Sequence, residues 1–151
     1  MPDTANAGQA AFDRDFYSQS EKAGLIFDER FNRGGRVADY VIDTLSKQVL
    51  CYWMTREEWV GQTPFAVIKG PKVMIINERA GSGGDALPWM FRKRKLGTLV
   101  GHRTWGGLVG ISGVPTLVDG GSVTSAAVGI MDENGQWAVV NEGVEPVVEV
   151  I

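Results

Sequence analysis

Histidine and cysteine each occur once among the 151 residues, as His102 and Cys51. A lone cysteine excludes an internal disulfide. With one His, one Cys and no carboxylates at ligand spacing beside them, a zinc site is not expected, and neither is any other metal or cofactor. Long apolar runs are missing too, so no stretch reads as a membrane-spanning helix. Positive charge is not in excess: 15 Lys and Arg face 18 Asp and Glu for a net charge of −3. Without a basic stripe, neither nucleic acid nor an anionic membrane is an expected partner. Met1 to Ala7 is polar and lacks the basic and apolar regions of a secretory leader. That leaves the compartment open. No glycine cluster is followed by the Lys-Ser/Thr of a nucleotide phosphate loop.

What remains is the balance of a globular domain, 44% hydrophobic and 22% charged, in a chain long enough to bury one core. Glycine is the excess. Its 20 residues are about twice the usual share of roughly 7%. They cluster at Gly34-Gly35, Gly81 to Gly84, Gly106-Gly107 and Gly120-Gly121. Paired glycines suit tight turns, and they also let backbone amides approach a ligand.

Phe12, Phe16 and Tyr17 fall at helical spacing, which predicts a helix over Gln9 to Lys22 after a disordered segment 1–8. Leu25 to Phe27 predicts a buried strand, Val37 to Leu45 a helix, and Val49 to Trp53 a second strand. Thr55 to Pro71 reads as a long connection. Val73-Met74-Ile75-Ile76 is apolar throughout, the pattern of a parallel strand covered on both faces. It leads through Asn77 to Gly84 into a helix expected from Gly83 to Arg94, burying Leu87, Met90 and Phe91. Leu99-Val100, Leu108 to Ile111, Thr116 to Val118, Val123 to Met131 and Trp137 to Val140 read as β, with a hairpin signal at Asn134-Gly135. Alternating strands and helices make the fold α/β with added hairpins. The five tryptophans fit core and interface positions better than a stacking platform.

Ser82 lies between the clearest strand and a helix, with glycine on both sides. Such a junction presents a hydroxyl at the end of the sheet, beside free amides at the positive end of a helix that could hold an oxyanion. The same pattern suits a helix cap with Asp85 as its reciprocal partner, and locally the cap is the commoner arrangement. A nucleophile also needs a base within hydrogen-bond reach. His102 follows a short strand beside Arg103, and Lys93 and Lys95 lie at the far end of the helix that Ser82 begins. The sequence offers a nucleophile without a convincing base.

Four segments in order carry a resemblance. They are Gly24 to Gly35, with Asn32-Arg33-Gly34-Gly35; Val73 to Asp85, with Asn77-Glu78-Arg79-Ala80-Gly81-Ser82; Gly101 to Ile111, with Arg103-Thr104-Trp105-Gly106-Gly107; and Asn141 to Pro146. Together they resemble the C-terminal catalytic region of tricorn-type serine peptidases, within the wider family of C-terminal processing peptidases. The resemblance implies that Ser82 is the nucleophile and that the amides of Gly35 and Gly83 form the oxyanion hole. It implies an α/β crotonase-like or caseinolytic-protease-like superfold of stacked strand-strand-helix units, often assembled into rings, so a homo-oligomer is expected. Peptides or unfolded polypeptides are the implied substrates.

Residues 9–151 would then be a catalytic subdomain without the histidine-bearing subdomain, PDZ module and propellers that such enzymes place upstream. Other departures follow from the same comparison. The supporting glutamate aligns with Val140, and Glu142 serves only if the register shifts by two. The acidic specificity position falls near Trp53, which does not favour basic side chains. The compartment implied is cytoplasmic if the protein is tricorn-like, periplasmic if a longer form carries a leader. Two further readings stay open: a non-catalytic peptide-binding or assembly module of this fold, and an acyl-CoA enzyme sharing the oxyanion architecture.

Overall fold

Strand β4 (Lys72–Ile76) occupies an inner position of a four-stranded sheet, where an uninterrupted apolar run belongs. The computed structural model describes residues 1–150. Strand order is β1-β4-β5-β6, with β1 (Leu25–Asp28), β5 (Thr98–Gly101) and β6 (Val148–Glu149). All three pairings are parallel. Val73 faces Ile26 on one side and Thr98 on the other. Met74 and Ile76 are fully buried.

Helix α3 (Gly83–Lys93) begins with two glycines and carries Pro88 inside it, so intrinsic propensity argues against it. Packing holds it instead. Leu87 and Phe91 are fully buried, and each such side chain contributes about 1.5–3 kcal/mol by leaving water. Arg92 and Lys93 in its last turn suit the negative end of the helix. Helix α2 (Ala38–Ser46) packs beside α3 and buries Val41, Ile42 and Leu45. Helix α1 (Asn6–Ser18) begins three residues earlier than its aromatic spacing indicates and ends four earlier than Lys22. Its Phe12 stacks on Phe16 at 5.3 Å between ring centres and tilts against Phe27 of β1.

The segment expected to be disordered contributes to the fold. Thr4 is fully buried, its N–H donates to the Gly34 carbonyl at 2.9 Å, and it bridges Gly35 in parallel. The stretch read as a long connection contains a strand: β3 (Trp59–Thr63) pairs antiparallel with β2 (Cys51–Met54) in a separate hairpin. The β structure expected between Leu108 and Val140 reduces to isolated bridges, Gly110 to Val128 and Met131 to Trp137. No helix among the described residues is long and apolar enough to cross a membrane.

Candidate active site

The chain leaves β4 through Asn77 and turns back at Ser82, which adopts φ 57° and ψ −116°. A non-glycine residue in such a conformation stores about 1–3 kcal/mol and persists only when its surroundings enforce it. The enforcing contacts are visible. Ser82 N–H donates to Asp85 Oδ2 at 2.7 Å. The other Asp85 oxygen accepts from Gly106 N–H at 2.8 Å, so one buried carboxylate ties the serine turn to the loop after β5. Trp105 N–H adds a bond to the Ala80 carbonyl at 2.9 Å.

Ser82 is the cap residue of α3, and with Asp85 it has the capping-box arrangement. The carboxylate arm is the firm one. The Asp85 amide, which faces the serine side chain in that arrangement, makes its hydrogen bond to the Ser82 carbonyl at 2.9 Å. Half-buried, Ser82 keeps its hydroxyl available at the positive end of a helix.

Asn32 joins this turn to the second glycine loop. Its side-chain oxygen accepts from Gly34 N–H at 2.9 Å, and its carbonyl accepts from Gly81 N–H at 3.0 Å. The loops meet closely: a methyl carbon placed on Gly34 would stand 2.8 Å from Ser82 Cβ. Gly35 has φ 139°, a conformation only glycine adopts without strain. A methyl on Gly83 would reach Gly35 O at 2.5 Å and Gly35 N at 2.7 Å, and would collide with Thr4 Oγ1. Neither Gly35 nor Gly83 N–H donates a hydrogen bond among the described residues. Two free amides therefore lie together beside a strained serine.

No hydrogen bond joins the other predicted residues to Ser82 among the described residues. Glu142 has an exposed side chain, and its backbone belongs to the turn that Gly106 abuts; its carbonyl accepts from Arg103 at 3.0 Å. His102 faces Glu149 at 3.8 Å, and its amide donates to Ile76 O. Lys93 pairs with Glu133 at 2.9 Å. Trp53 lies on the exposed hairpin, where its indole donates to Thr63 Oγ1, and with Trp59 and Phe65 it lines an open cavity of about 1050 Å³. No group of three or more His, Cys, Asp and Glu side chains gathers as metal ligands among the described residues.

Sequence reasoning missed three buried polar residues around the serine: Thr4, Glu29 and Asn32. Asn32 was visible as part of a loop motif, but its bridging role was not. Glu29 follows a strand and offers no pattern to read. Burial pushes its carboxyl well above the usual carboxylate range, and the neighbouring Asp85 adds to that.

The chain as a whole is similar to known proteins. The profile of peptidase family S41 matches residues 3–150. The tricorn protease of Thermoplasma volcanium is 37% identical over 146 residues, 97% of this chain and 14% of that protein. A tricorn protease homolog of Saccharolobus solfataricus is 38% identical over 148 residues, again 97% of this chain and 14% of the relative. The chain thus spans about one-seventh of the length of the curated relatives it matches. A crystal structure of the tricorn protease superposes with a TM-score of 0.89 at 38% identity, covering 99% of this chain and 15% of that one. The photosystem II D1 C-terminal processing protease shares the fold at a TM-score of 0.73 and 22% identity, over 99% of this chain and 41% of that one. An end-to-end profile match, joined by relatives well above 30% identity, is more than a shared topology: the chain belongs to peptidase family S41.

Proposed function

We propose that this chain is the nucleophile-bearing half of a serine endopeptidase site. Ser82 attacks the peptide carbonyl, and the Gly35 and Gly83 amides receive the developing oxyanion. The observation that carries this reading is the strained Ser82 turn, packed against two amides that donate no hydrogen bond among the described residues. Strain of this kind at a strand-to-helix turn is how a nucleophile elbow keeps a hydroxyl exposed. The substrate is a peptide or unfolded polypeptide, as the names of the relatives suggest. The overall architecture we assign to the crotonase-like superfold, a reading supported by the parallel β1-β4-β5-β6 sheet and by its superposition on a crystal structure of the tricorn protease.

The general base comes from outside residues 9–151, in an upstream subdomain or another subunit. No hydrogen bond joins His102 or Lys93 to Ser82 among the described residues; His102 lies 3.8 Å from Glu149, and Lys93 pairs with Glu133. Glu142, whose backbone lies beside Gly106, is the carboxylate we assign to orienting an incoming base. The resemblance that aligns the acidic specificity position with Trp53 supports a preference against basic substrate side chains, and exposed Trp53, Trp59 and Phe65 offer a face for assembly into a homo-oligomer. That no base contacts Ser82 among the described residues favours, as a second reading, a peptide-binding module of this fold without catalysis.

The experiment is labelling with a fluorophosphonate probe, comparing the chain with Ser82→Ala, alone and with the upstream region supplied. Labelling that needs Ser82 supports the catalytic reading. A chain that stays unlabelled even with the upstream region supports the binding module.

A further inference from the structure

Glu29 stands one residue past β1 and is fully buried. Neither of its oxygens accepts a hydrogen bond among the described residues, and no Lys or Arg there forms an ion pair with it. A buried carboxylate ordinarily survives only with such a partner. Instead its Oε1 packs against Gly84, next to the second buried carboxyl, Asp85 of α3, whose charge and that of Asp28 at the end of β1 both disfavour its ionised form. The Asn32 side chain and the Met1 ammonium are the groups that favour its charged form. Asn32 Nδ2 nevertheless completes no hydrogen bond, and neither does Thr4 Oγ1.

The position of this carboxyl gives it leverage. Its Oε1 lies 3.2 Å from the place a methyl carbon would take on Gly84, so it packs against the first turn of α3. On one side is Asn32, which holds both Gly34 N–H and Gly81 N–H. On the other is Asp85, which holds both Ser82 N–H and Gly106 N–H. Charge appearing here would press on both clamps at once.

We propose that Glu29 is a positioning residue: as the neutral acid it lets Asp85 stand as the sole anion at the helix end, and on ionising it forces the Ser82 turn and the Asn32–Gly35 loop apart. The step is loss of one proton to solvent, with no other bond made or broken. It rests on the reading of Ser82 as nucleophile and adds a pH limit to that site. Burial raises the proton affinity of Glu29 in the folded chain above that in the unfolded chain. Its contribution to stability is therefore fully present below the unfolded glutamate range and is lost as pH rises through the folded value.

The test compares the intact chain with Glu29→Gln, which is neutral at every pH. Melting temperature is followed from pH 5 to pH 9. The wild type should fall away from the variant as pH rises and approach it at pH 5; parallel curves overturn the proposal. Titration of the Glu29 side-chain carbon by NMR, assigned through its backbone in the wild type, does not depend on the variant folding. A midpoint in the ordinary glutamate range overturns the proposal as well. Fluorophosphonate labelling of Ser82, with the upstream region present, reads the positioning role. Above the folded value the wild-type rate should drop about tenfold per pH unit relative to the variant. Equal pH profiles reject that role. If neither protein labels at any pH, the nucleophile reading and the positioning role fall together, and the carbon titration alone decides whether Glu29 is held neutral.

Discussion

Replacing Gly83 by alanine adds one methyl group where the two glycine loops touch. That methyl would stand 2.5 Å from Gly35 O and 2.7 Å from Gly35 N, and would collide with Thr4 Oγ1. Ordinary contact needs about 3.5–4 Å, so one loop must retreat by roughly 1 Å. No side-chain rotation relieves the backbone contacts. Gly34 is pinned by Asn32 Oδ1 at 2.9 Å and by Thr4 N–H at 2.9 Å. Overpacking of this kind costs about 1–3 kcal/mol of stability. The same shift carries the Gly35 amide out of line with the Gly83 amide, and losing one oxyanion donor costs about 2.7–4 kcal/mol, or 10²–10³-fold in rate. The two effects separate cleanly. A domain of typical stability, about 5–15 kcal/mol, stays almost wholly folded after losing 1–3, so unfolding cannot produce a hundredfold loss. The assay is the second-order rate of fluorophosphonate acylation with the upstream region present, beside the urea midpoint. Gly61→Ala on β3, where a methyl meets nothing within 4 Å, is the control and should change neither. A Gly83→Ala protein acylated at near wild-type rate would refute the oxyanion assignment.

Asp85→Asn should cost about 2–4 kcal/mol by urea denaturation, because a buried anion accepting two N–H groups is replaced by an amide that turns a donor toward one of them. A change below about 0.5 kcal/mol would mean the Ser82 turn is held by other contacts. Phe91→Ala should cost about 3–5 kcal/mol, since the ring is fully buried in the core cluster. Its acylation rate, measured where the variant is folded, should match the parent; a hundredfold loss there would show that the α3 core and the serine turn are not separable.

The parts of the fold legible in the sequence are those whose burial leaves a pattern. β4 and α3 were legible because an inner parallel strand and a helix with a buried face carry apolar runs; Leu87 and Phe91 are buried as expected, whereas Met90, Val73 and Ile75 are only partly so. β3 was not, because Trp59 and Val60 are exposed and the strand carries no buried face to advertise. The opposite error occurred beyond Leu108. Val118 and Val123 alternate like strand residues but lie exposed on a segment with few ladder partners. Around the serine, the glycine clusters marked which loops mattered. What joins them was invisible, since Asn32 to Gly81, Asp85 to Gly106 and Thr4 to Gly34 are contacts between residues far apart in the chain.

The division between what this chain holds and what it lacks has a physical reason on the proposed reading. An oxyanion hole made of backbone amides must be fixed to within about 0.5 Å. Here that precision comes from the fold itself, through Asn32 and Asp85, each accepting two N–H groups from two different loops. No partner can lend a backbone amide to another chain's turn without entering that network. A general base is different, being one side chain that must reach one hydroxyl. It can be delivered by a separate subdomain or subunit, provided the serine waits in a fixed conformation. The strained Ser82 turn supplies that fixity at rest. Without a base its hydroxyl stays protonated and a poor nucleophile. Activity then depends on a docking event rather than on refolding the site.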